Sequence, residues 1–310
     1  GTSDDDVKLS AAGNLTLEQQ VDLGLGDLVL SVSGDLTQLP AGTVESNVAK
    51  NGTIRAAGLG LLVEGNTLLN NSGNNVERIA ANGTAVGQTG AIQYTDANDL
   101  TISEVVAESL VANRAMKDML PVSQQTISAN ETLVSGIATK GSDDDVKLTV
   151  GGDLAIEHVV QLDAADLFLN VAGDVSQTAA IAGVGVALDV DGGTDLSNAS
   201  NDFETFVANQ LGDASTGQII YTDANDLTIG HVVVETVVAG RAISGAQSAA
   251  EMSLLGVSTS GDDVKLTTGG ALKIETAVVL AAGDLFLDVD GDVSQIATGT
   301  ISARGLGLMV

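Results

Sequence analysis

One stretch of this chain, residues 7–36, returns twice, at 146–175 and at 264–293. Each copy consists of short apolar triplets separated by corners that contain glycine. A fixed internal period is typical of stacked structural units rather than of an ordinary globular domain. The repetition therefore predicts an array in which each unit packs mainly against its neighbours.

The repeats divide the chain into long units at 3–141, 142–259 and 260–310. The third unit is incomplete, so we expect the sequence to be a window on a longer repetitive protein. A second marker, YTDANDLTI, occurs at 94–102 and at 221–229. The order of markers is kept between units, so we expect one continuous domain over 1–310.

A shorter period of about 21 residues lies inside each unit. Two series of apolar residues show it: Val264, Leu285 and Leu306, and Val146, Leu167 and Leu188. Each period holds three short strands with alternating side chains, so that Leu285 and Leu287 face one way and Phe286 and Asp288 the other. Such strands bury their apolar face only by winding into coils that stack on one another.

The fold class that this pattern predicts is all-β, specifically a parallel β-helix with three-strand coils of about 21 residues. Corners such as Gly152-Asp153 and Gly283-Asp284 suit it, because glycine adopts positive φ and aspartate bonds the turn backbone. We expect roughly 13 to 15 coils, with Val264, Leu285 and Leu306 on successive rungs.

Composition excludes several classes of function. Twelve basic residues stand against 41 acidic ones, for a net charge of −29, so we expect no nucleic-acid partner. The absence of cysteine excludes disulfides and thiol chemistry. No apolar run is long enough for a membrane span in this window, and no signal peptide opens it.

Two segments depart from the repeat. Residues 37–57 contain Pro40 and are expected to leave the regular wall as a loop or a short added strand pair. Residues 103–120 have helical spacing, and a short helix near 113–120 is one interpretation. The matching stretch at 231–242 reads as strand, which favours the other interpretation.

Acidic residues are the first candidates for a site. Asp288, Asp290 and Asp292 follow one strand and are expected to lie near Asp189 and Asp191 of the preceding unit. Such a face could hold Ca²⁺, which takes six to eight oxygen ligands. The spacing matches no EF-hand loop, and a solvated acidic wall is the interpretation that we favour. We therefore predict no cofactor, with Ca²⁺ as the alternative.

The TDAND turns at 95–99 and 222–226 allow a cation turn, but an Asx-type corner is the simpler interpretation. The two histidines, His158 and His231, do not recur between units, so both are expected at the surface. A polysaccharide-acting enzyme needs two spaced carboxylates in a groove with aromatic platforms, and aromatic residues are only 2% of this chain. We predict no enzymatic activity and no catalytic residue.

The phrases GDLFLDVDGDVSQ, TISARGLGLMV, YTDANDLTIG and VSTSGDDVKLTTGGALKIE resemble the repeats of filamentous-haemagglutinin-like exoproteins and related giant bacterial surface adhesins. The resemblance covers nearly the whole chain and is carried by structural residues. It implies a right-handed β-helix shaft on a secreted or cell-surface bacterial protein that acts in adhesion, in a biofilm matrix or in a filament. The strong acidity and the stretch at 103–130 depart from the pattern.

The expected function is therefore that of an extracellular structural or adhesive shaft, a stiff spacer or a filament-forming matrix component. Its partners would be cell-surface or matrix components or neighbouring copies of the chain. The alternatives are a calcium-stiffened surface-layer or matrix protein and, less favoured, a polysaccharide-acting β-helix enzyme.

Overall fold

A computed structural model of the protein describes residues 6–39, 43–45, 48–82, 90–107, 131–141, 144–210, 217–234 and 252–310. Within these ranges there are strands and no helix, which confirms the all-β class.

The strands of the first long unit are β1 (Val7–Ala11), β2 (Leu15–Leu17), β3 (Val21–Asp22), β4 (Asp27–Val32), β5 (Leu36–Gln38), β6 (Thr43–Glu45), β7 (Val48–Lys50), β8 (Ile54–Val63), β9 (Thr67–Leu69), β10 (Asn75–Asn82), β11 (Ile92–Asp96), β12 (Leu100–Ile102), β13 (Glu104–Ala107), β14 (Thr132–Ser135) and β15 (Ile137–Thr139). Those of the second are β16 (Val146–Val150), β17 (Leu154–Ile156), β18 (Val160–Leu162), β19 (Leu167–Val171), β20 (Val175–Gln177), β21 (Ile181–Val190), β22 (Thr194–Leu196), β23 (Asp202–Gln210), β24 (Ile219–Asp223), β25 (Leu227–Ile229), β26 (His231–Val234), β27 (Met252–Leu255) and β28 (Val257–Thr259). Those of the third are β29 (Val264–Thr268), β30 (Leu272–Ile274), β31 (Val278–Val279), β32 (Asp284–Val289), β33 (Val293–Gln295), β34 (Ile301–Ser302) and β35 (Gly305–Met309).

A single sheet contains 29 of these strands, and they pair with one another in parallel. We call a series of strands in which each pairs with the next a ladder. The first ladder is β1–β4–β8–β10–β12–β17–β20–β22–β24–β29–β32–β35. The second is β2–β5–β9–β11–β16–β19–β21–β23–β25–β30–β33. The third is β3–β8–β10–β15–β18–β21–β23–β28–β31–β34. This arrangement is compatible with a β-helix.

The predicted register is confirmed at the end of the first ladder. Val264 pairs with Leu285, and Leu285 pairs with Leu306, each 21 residues further along the chain. Leu285 and Leu287 are buried, and Phe286 between them is 40% exposed, so the side chains alternate as the sequence indicates. Local periodicity is sufficient here because each strand pairs with the one that follows it in the repeat.

The expected series Val146, Leu167 and Leu188 is wrong at its last member. Val146 pairs with Leu167, but Leu167 pairs with Val186, only 19 residues later, and Leu188 pairs with Leu169. The reason is that a corner separates β18 from β19, whereas β21 runs through the same position as one continuous strand. A coil without that corner needs two fewer residues.

The first ladder contains twelve strands, fewer than the 13 to 15 coils expected from length. Chain length overestimates the number because some residues leave the sheet. The antiparallel pair β6–β7 confirms the strand-pair interpretation of the first insertion. Two further antiparallel pairs, β13–β14 and β26–β27, are described below. The helix considered near 113–120 lies outside the described residues.

Corner side chains link one rung to the next. The N–H of Asp174 donates to Asp153 Oδ1 at 2.8 Å, and that of Asp153 donates to Asp99 Oδ1 at 2.9 Å. In the first unit the N–H of Asp35 likewise donates to Asn14 Oδ1. These bonds satisfy the turn backbone, and their spacing sets like charges one rung apart along the surface.

Candidate functional site

Two β-hairpins lie on the outer face of the sheet. The first hairpin is β13–β14 and the second is β26–β27. The first packs Val105, Ala107 and Val134 against Val29 and Ala80 of the sheet. The apolar residues of the second interface are Phe168, Ala187, Val207, Val232, Val234 and Leu254. Both clusters are separate from the main core, so each hairpin covers a second apolar surface on the outside of the ladders.

The corresponding outer face of the third unit carries no such cover among the described residues. Phe168 and Phe286 occupy equivalent positions in strands β19 and β32, and lysine ammonium groups lie 5.5 and 5.8 Å from their ring centroids. Phe168 is fully buried beneath the second hairpin, whereas Phe286 is 40% exposed. The comparison shows that the second hairpin removes the Phe168 ring from water.

An aspartate lies at the edge of the first hairpin. Asp27 pairs with Arg78, whose Nη2 is 2.9 Å from Asp27 Oδ1. Asp27 Oδ2 accepts a hydrogen bond from the N–H of Val106 in the hairpin at 3.4 Å. Burial raises the pKa of the Asp27 carboxyl, and the Arg78 guanidinium opposes that rise. Gly58 allows this approach, because a Cβ there would lie 2.7 Å from Asp27 Oδ1 and 3.1 Å from Val105 Cγ1.

The second hairpin has the same geometry without the arginine. A Cβ on Gly185 would lie 2.7 Å from Asp166 Oδ1 and 2.8 Å from Val232 Cγ2, so aspartate and hairpin valine are again adjacent. Thr205 on β23 stands where β10 has Arg78. Burial, and then the neighbouring Asp145 carboxylate, raise the pKa of Asp166 to about 7.

The third aspartate of this series, Asp284, has an exposed side chain. Arg304 Nε donates to Asp284 Oδ1 at 2.9 Å, and this hydrogen bond lowers the pKa of the Asp284 carboxyl. The three units therefore present the same carboxylate in three settings: covered and paired, covered without a basic partner in the described structure, and uncovered and paired.

The acidic residues singled out from the sequence do not come together. Asp288 lies on β32 of the first ladder, opposite Thr267 and Met309. Asp189 lies on β21 of the second ladder, and its Oδ2 accepts a hydrogen bond from Asn170 at 2.8 Å. The expected proximity is therefore wrong, because β21 and β32 follow different ladders. Within the described ranges no group of three or more acidic, histidine or cysteine side chains could hold a metal ion.

The TDAND turns are Asx corners, as the simpler interpretation predicts. Asp96 Oδ1 accepts from the N–H of Asn98 at 3.0 Å, and Oδ2 accepts from Tyr94 Oη at 2.6 Å and from the N–H of Val76 at 3.0 Å. Tyr221 and Asp223 repeat this arrangement in the second unit. Burial raises the pKa of both aspartates and of both tyrosines. The hydrogen bonds of these groups link neighbouring strands of the sheet.

Both histidines contact a serine on the second strand of a hairpin. His158 Nδ1 lies 2.8 Å from Ser135 Oγ, and His231 Nε2 lies 2.6 Å from Ser253 Oγ. His231 is exposed, as expected, and His158 is partly buried beside the first hairpin. Sequence reasoning treated them as unrelated, because they occupy different positions in the repeat.

An open groove lies beside β23, one of the sheet strands against which the second hairpin packs. Its lining includes Asp202, Glu204, Asn225, Asp226 and Gly270. Carboxylates without a basic residue make this groove strongly acidic.

No protein-family model matches the chain, and no match was found among curated proteins or solved structures. In the described part of the chain, no helix has the length and apolar character for a membrane crossing.

Sequence reasoning missed the hairpin interfaces and the aspartates beside them. Two signals could have indicated them. The glycines at 58 and 185 interrupt otherwise apolar strands, which is where another chain segment approaches closely. Val105 and Val232 occupy equivalent positions in the two units. The strand pattern around Val232 therefore argues against a helix at the start of residues 103–120.

Proposed function

We propose that this chain is the shaft of a large secreted or cell-surface bacterial protein, a right-handed parallel β-helix that acts as a stiff spacer, adhesin or matrix component. The observation that carries the proposal is the unbroken series of twelve paired strands from Val7 to Met309. At about 4.8 Å per pairing, those strands span roughly 50–55 Å.

The chemistry of the surface supports a scaffold. Apolar side chains occupy the inner face, and the surface carries much of a net charge of −29. Charge repulsion of this kind keeps long repetitive chains from associating side by side without a specific interface. The extracellular location rests on the resemblance to haemagglutinin-like repeats, and the partners expected are surface or matrix components or other copies of the chain.

An in-register deletion tests the spacer role. Removing 146–263 joins Asp145 to Val264, and it replaces the pairing of Ile92 with Val146 by the equivalent one seen between Ile219 and Val264. We expect a folded chain that is shorter by about five rungs, or roughly 25 Å, in small-angle scattering. A deletion of 146–253 ends in the middle of the second hairpin and serves as the out-of-register control.

The spacer role predicts that cells displaying the folded, shortened chain attach less well to surfaces, in proportion to the length lost. Unchanged attachment by the shortened chain would reject the spacer role. Turnover of a polysaccharide by the full chain that disappears on deletion would instead support the enzyme alternative.

A calcium-stiffened rod is the second candidate. The corner carboxylates Asp99, Asp153 and Asp174 form no three-ligand metal site, but they are a series of like charges that a loosely bound cation would screen. These carboxylates lie one rung apart and use one oxygen each for the next corner. A bound cation would relieve their repulsion, so a chelator would lower the melting temperature of a calcium-loaded rod by several degrees. Equal melting temperatures with chelator and with added Ca²⁺ would remove this candidate.

A further inference from the structure

The second hairpin differs from the first in the setting of the aspartate against which it packs. Asp166 Oδ1 and Val232 Cγ2 both lie within 3 Å of the position that a Cβ would occupy on Gly185. An ionised Asp166 therefore loses solvation as long as the hairpin stays in place.

Among the described residues, no positive charge near Asp166 replaces that lost solvation. Asp145 on the preceding rung faces it with a like charge, and it accepts the N–H of Asp166 at 2.9 Å. From β21 the N–H of Gly185 donates to the carboxylate. On β23, Thr205 stands in the place of Arg78, and Asp202 and Glu204 beside it are exposed acids.

In the part of the chain that the structure describes, the nearest basic side chains on these elements have other contacts. Lys147 Nζ lies over the Phe168 ring and contacts Met252 Sδ at 2.7 Å. The His231 ring on β26 contacts Ser253 within the hairpin. In the first unit, by contrast, Arg78 reaches the equivalent Asp27 directly.

We propose that the second hairpin is a pH-dependent cover, closed over Phe168 and Val207 when Asp166 is protonated and released when Asp166 ionises. Release lets water reach the carboxylate and exposes the apolar surface of Phe168, Ala187 and Val207. Phe286, the equivalent side chain without a hairpin among the described residues, is 40% exposed. We expect the first hairpin to respond less over the same range, because the Arg78 guanidinium opposes the rise in the pKa of Asp27. This inference does not depend on the shaft function.

The direction follows from proton linkage. The pKa of Asp166 is about 7 with the hairpin closed, against an ordinary value of 3.8. Closure is therefore favoured fully below the ordinary value and loses that advantage as the pH rises through 7. If opening restores the ordinary pKa, the opening constant rises roughly eightyfold between pH 5 and pH 8. Because Asp166 is only partly buried, we expect about tenfold.

Hydrogen exchange of the full chain, measured at pH 5, 6, 7 and 8, tests the proposal. Dividing the protection of β26–β27 by that of β13–β14 cancels the intrinsic pH dependence of exchange, since both hairpins are in one molecule. We expect this ratio to fall about tenfold across the range. A ratio that stays constant within twofold would overturn the proposal.

Two variants separate Asp166 from other titrating groups. Asp166→Asn keeps the shape of the side chain and should make the ratio independent of pH at its high, pH 5 value. Thr205→Arg places the arginine of the first unit beside Asp166 and should also flatten the profile, with Asp166 ionised. Circular dichroism checks that each variant is folded, and if Asp166→Asn does not fold, Thr205→Arg decides alone. A profile in both variants that matches the parent chain would refute the role of Asp166.

Discussion

The buried Tyr94–Asp96 pair provides a quantitative test of how rungs are fastened together. Asp96→Ala removes the acceptor for the Tyr94 hydroxyl at 2.6 Å and for the N–H of Val76 at 3.0 Å, and both donors are buried. The N–H of Asn98, the third donor, lies in a turn that water reaches more easily. Each buried donor without a partner costs about 2 kcal/mol. Removing a partly compensated buried carboxylate returns about 1 kcal/mol, so we expect a loss of about 3 kcal/mol.

Tyr94→Phe alone removes one hydrogen bond to a carboxylate and should cost about 1.5 kcal/mol. In the double variant the phenyl ring no longer leaves a hydroxyl without a partner. Only the Val76 N–H then lacks a partner, so Tyr94→Phe/Asp96→Ala should cost about 1 kcal/mol, which is about 3.5 kcal/mol less than the sum of the single changes. Tyr221 and Asp223, which repeat the geometry with a 2.7 Å bond, supply a matched second cycle.

The assay is hydrogen exchange of amides on β10 and β11 with urea melts as a second measure, because repeat arrays do not always unfold in a single cooperative step. Destabilisation should be greatest on the rungs that Asp96 joins and should decline with distance along the ladder. If the single changes add to within about 0.5 kcal/mol, the hydroxyl and the carboxylate do not act as a pair, and the reasoning fails.

Two further predictions use the repeats as internal controls. Phe168→Ala should cost about 3–4 kcal/mol in urea unfolding because its ring is fully buried under the second hairpin, whereas Phe286→Ala, at 40% exposure, should cost about 1 kcal/mol. Equal losses would contradict the hairpin interface. Gly136→Ala should cost about 2 kcal/mol or more, because φ is +64° and a Cβ would meet a carbonyl oxygen of the next rung. Gly13→Ala, with no atom within 4 Å of its Cβ position, should leave the melting temperature nearly unchanged.

The repeat predicts a large part of the fold because the relevant contacts are between nearest neighbours in the period. Alternation at Leu285, Phe286 and Leu287 identifies the inner face, and a spacing of 21 identifies the partner strand. The same reasoning fails at Leu188, where a corner is missing and the step is 19 residues. Whether a corner forms or a strand continues through it depends on packing against the neighbouring rungs, which spacing does not encode.

The candidate site was predictable only in part. The Asx role of Asp96 follows from its turn sequence, since its short side chain bonds the backbone two residues ahead. The clustering of Asp288 with Asp189 does not follow, because their ladders diverge. Asp27 and Asp166 occupy equivalent positions at the start of similar strands. Their charge environments differ because Arg78 lies beside Asp27, whereas Thr205 takes that place in the second unit, and both of these residues are far along the chain.

By itself the sequence determined the strand class, the apolar inner face, the corner chemistry and most of the register, since these depend on periodicity within about 21 residues. Only the tertiary structure decided that residues 104–107 and 231–234 belong to hairpins on the outer face. It also decided that one covered aspartate has an arginine, while its counterpart has none among the residues described. The physical reason is solvation. A sequence shows which groups are charged, but the cost of that charge depends on which distant segment excludes water from it.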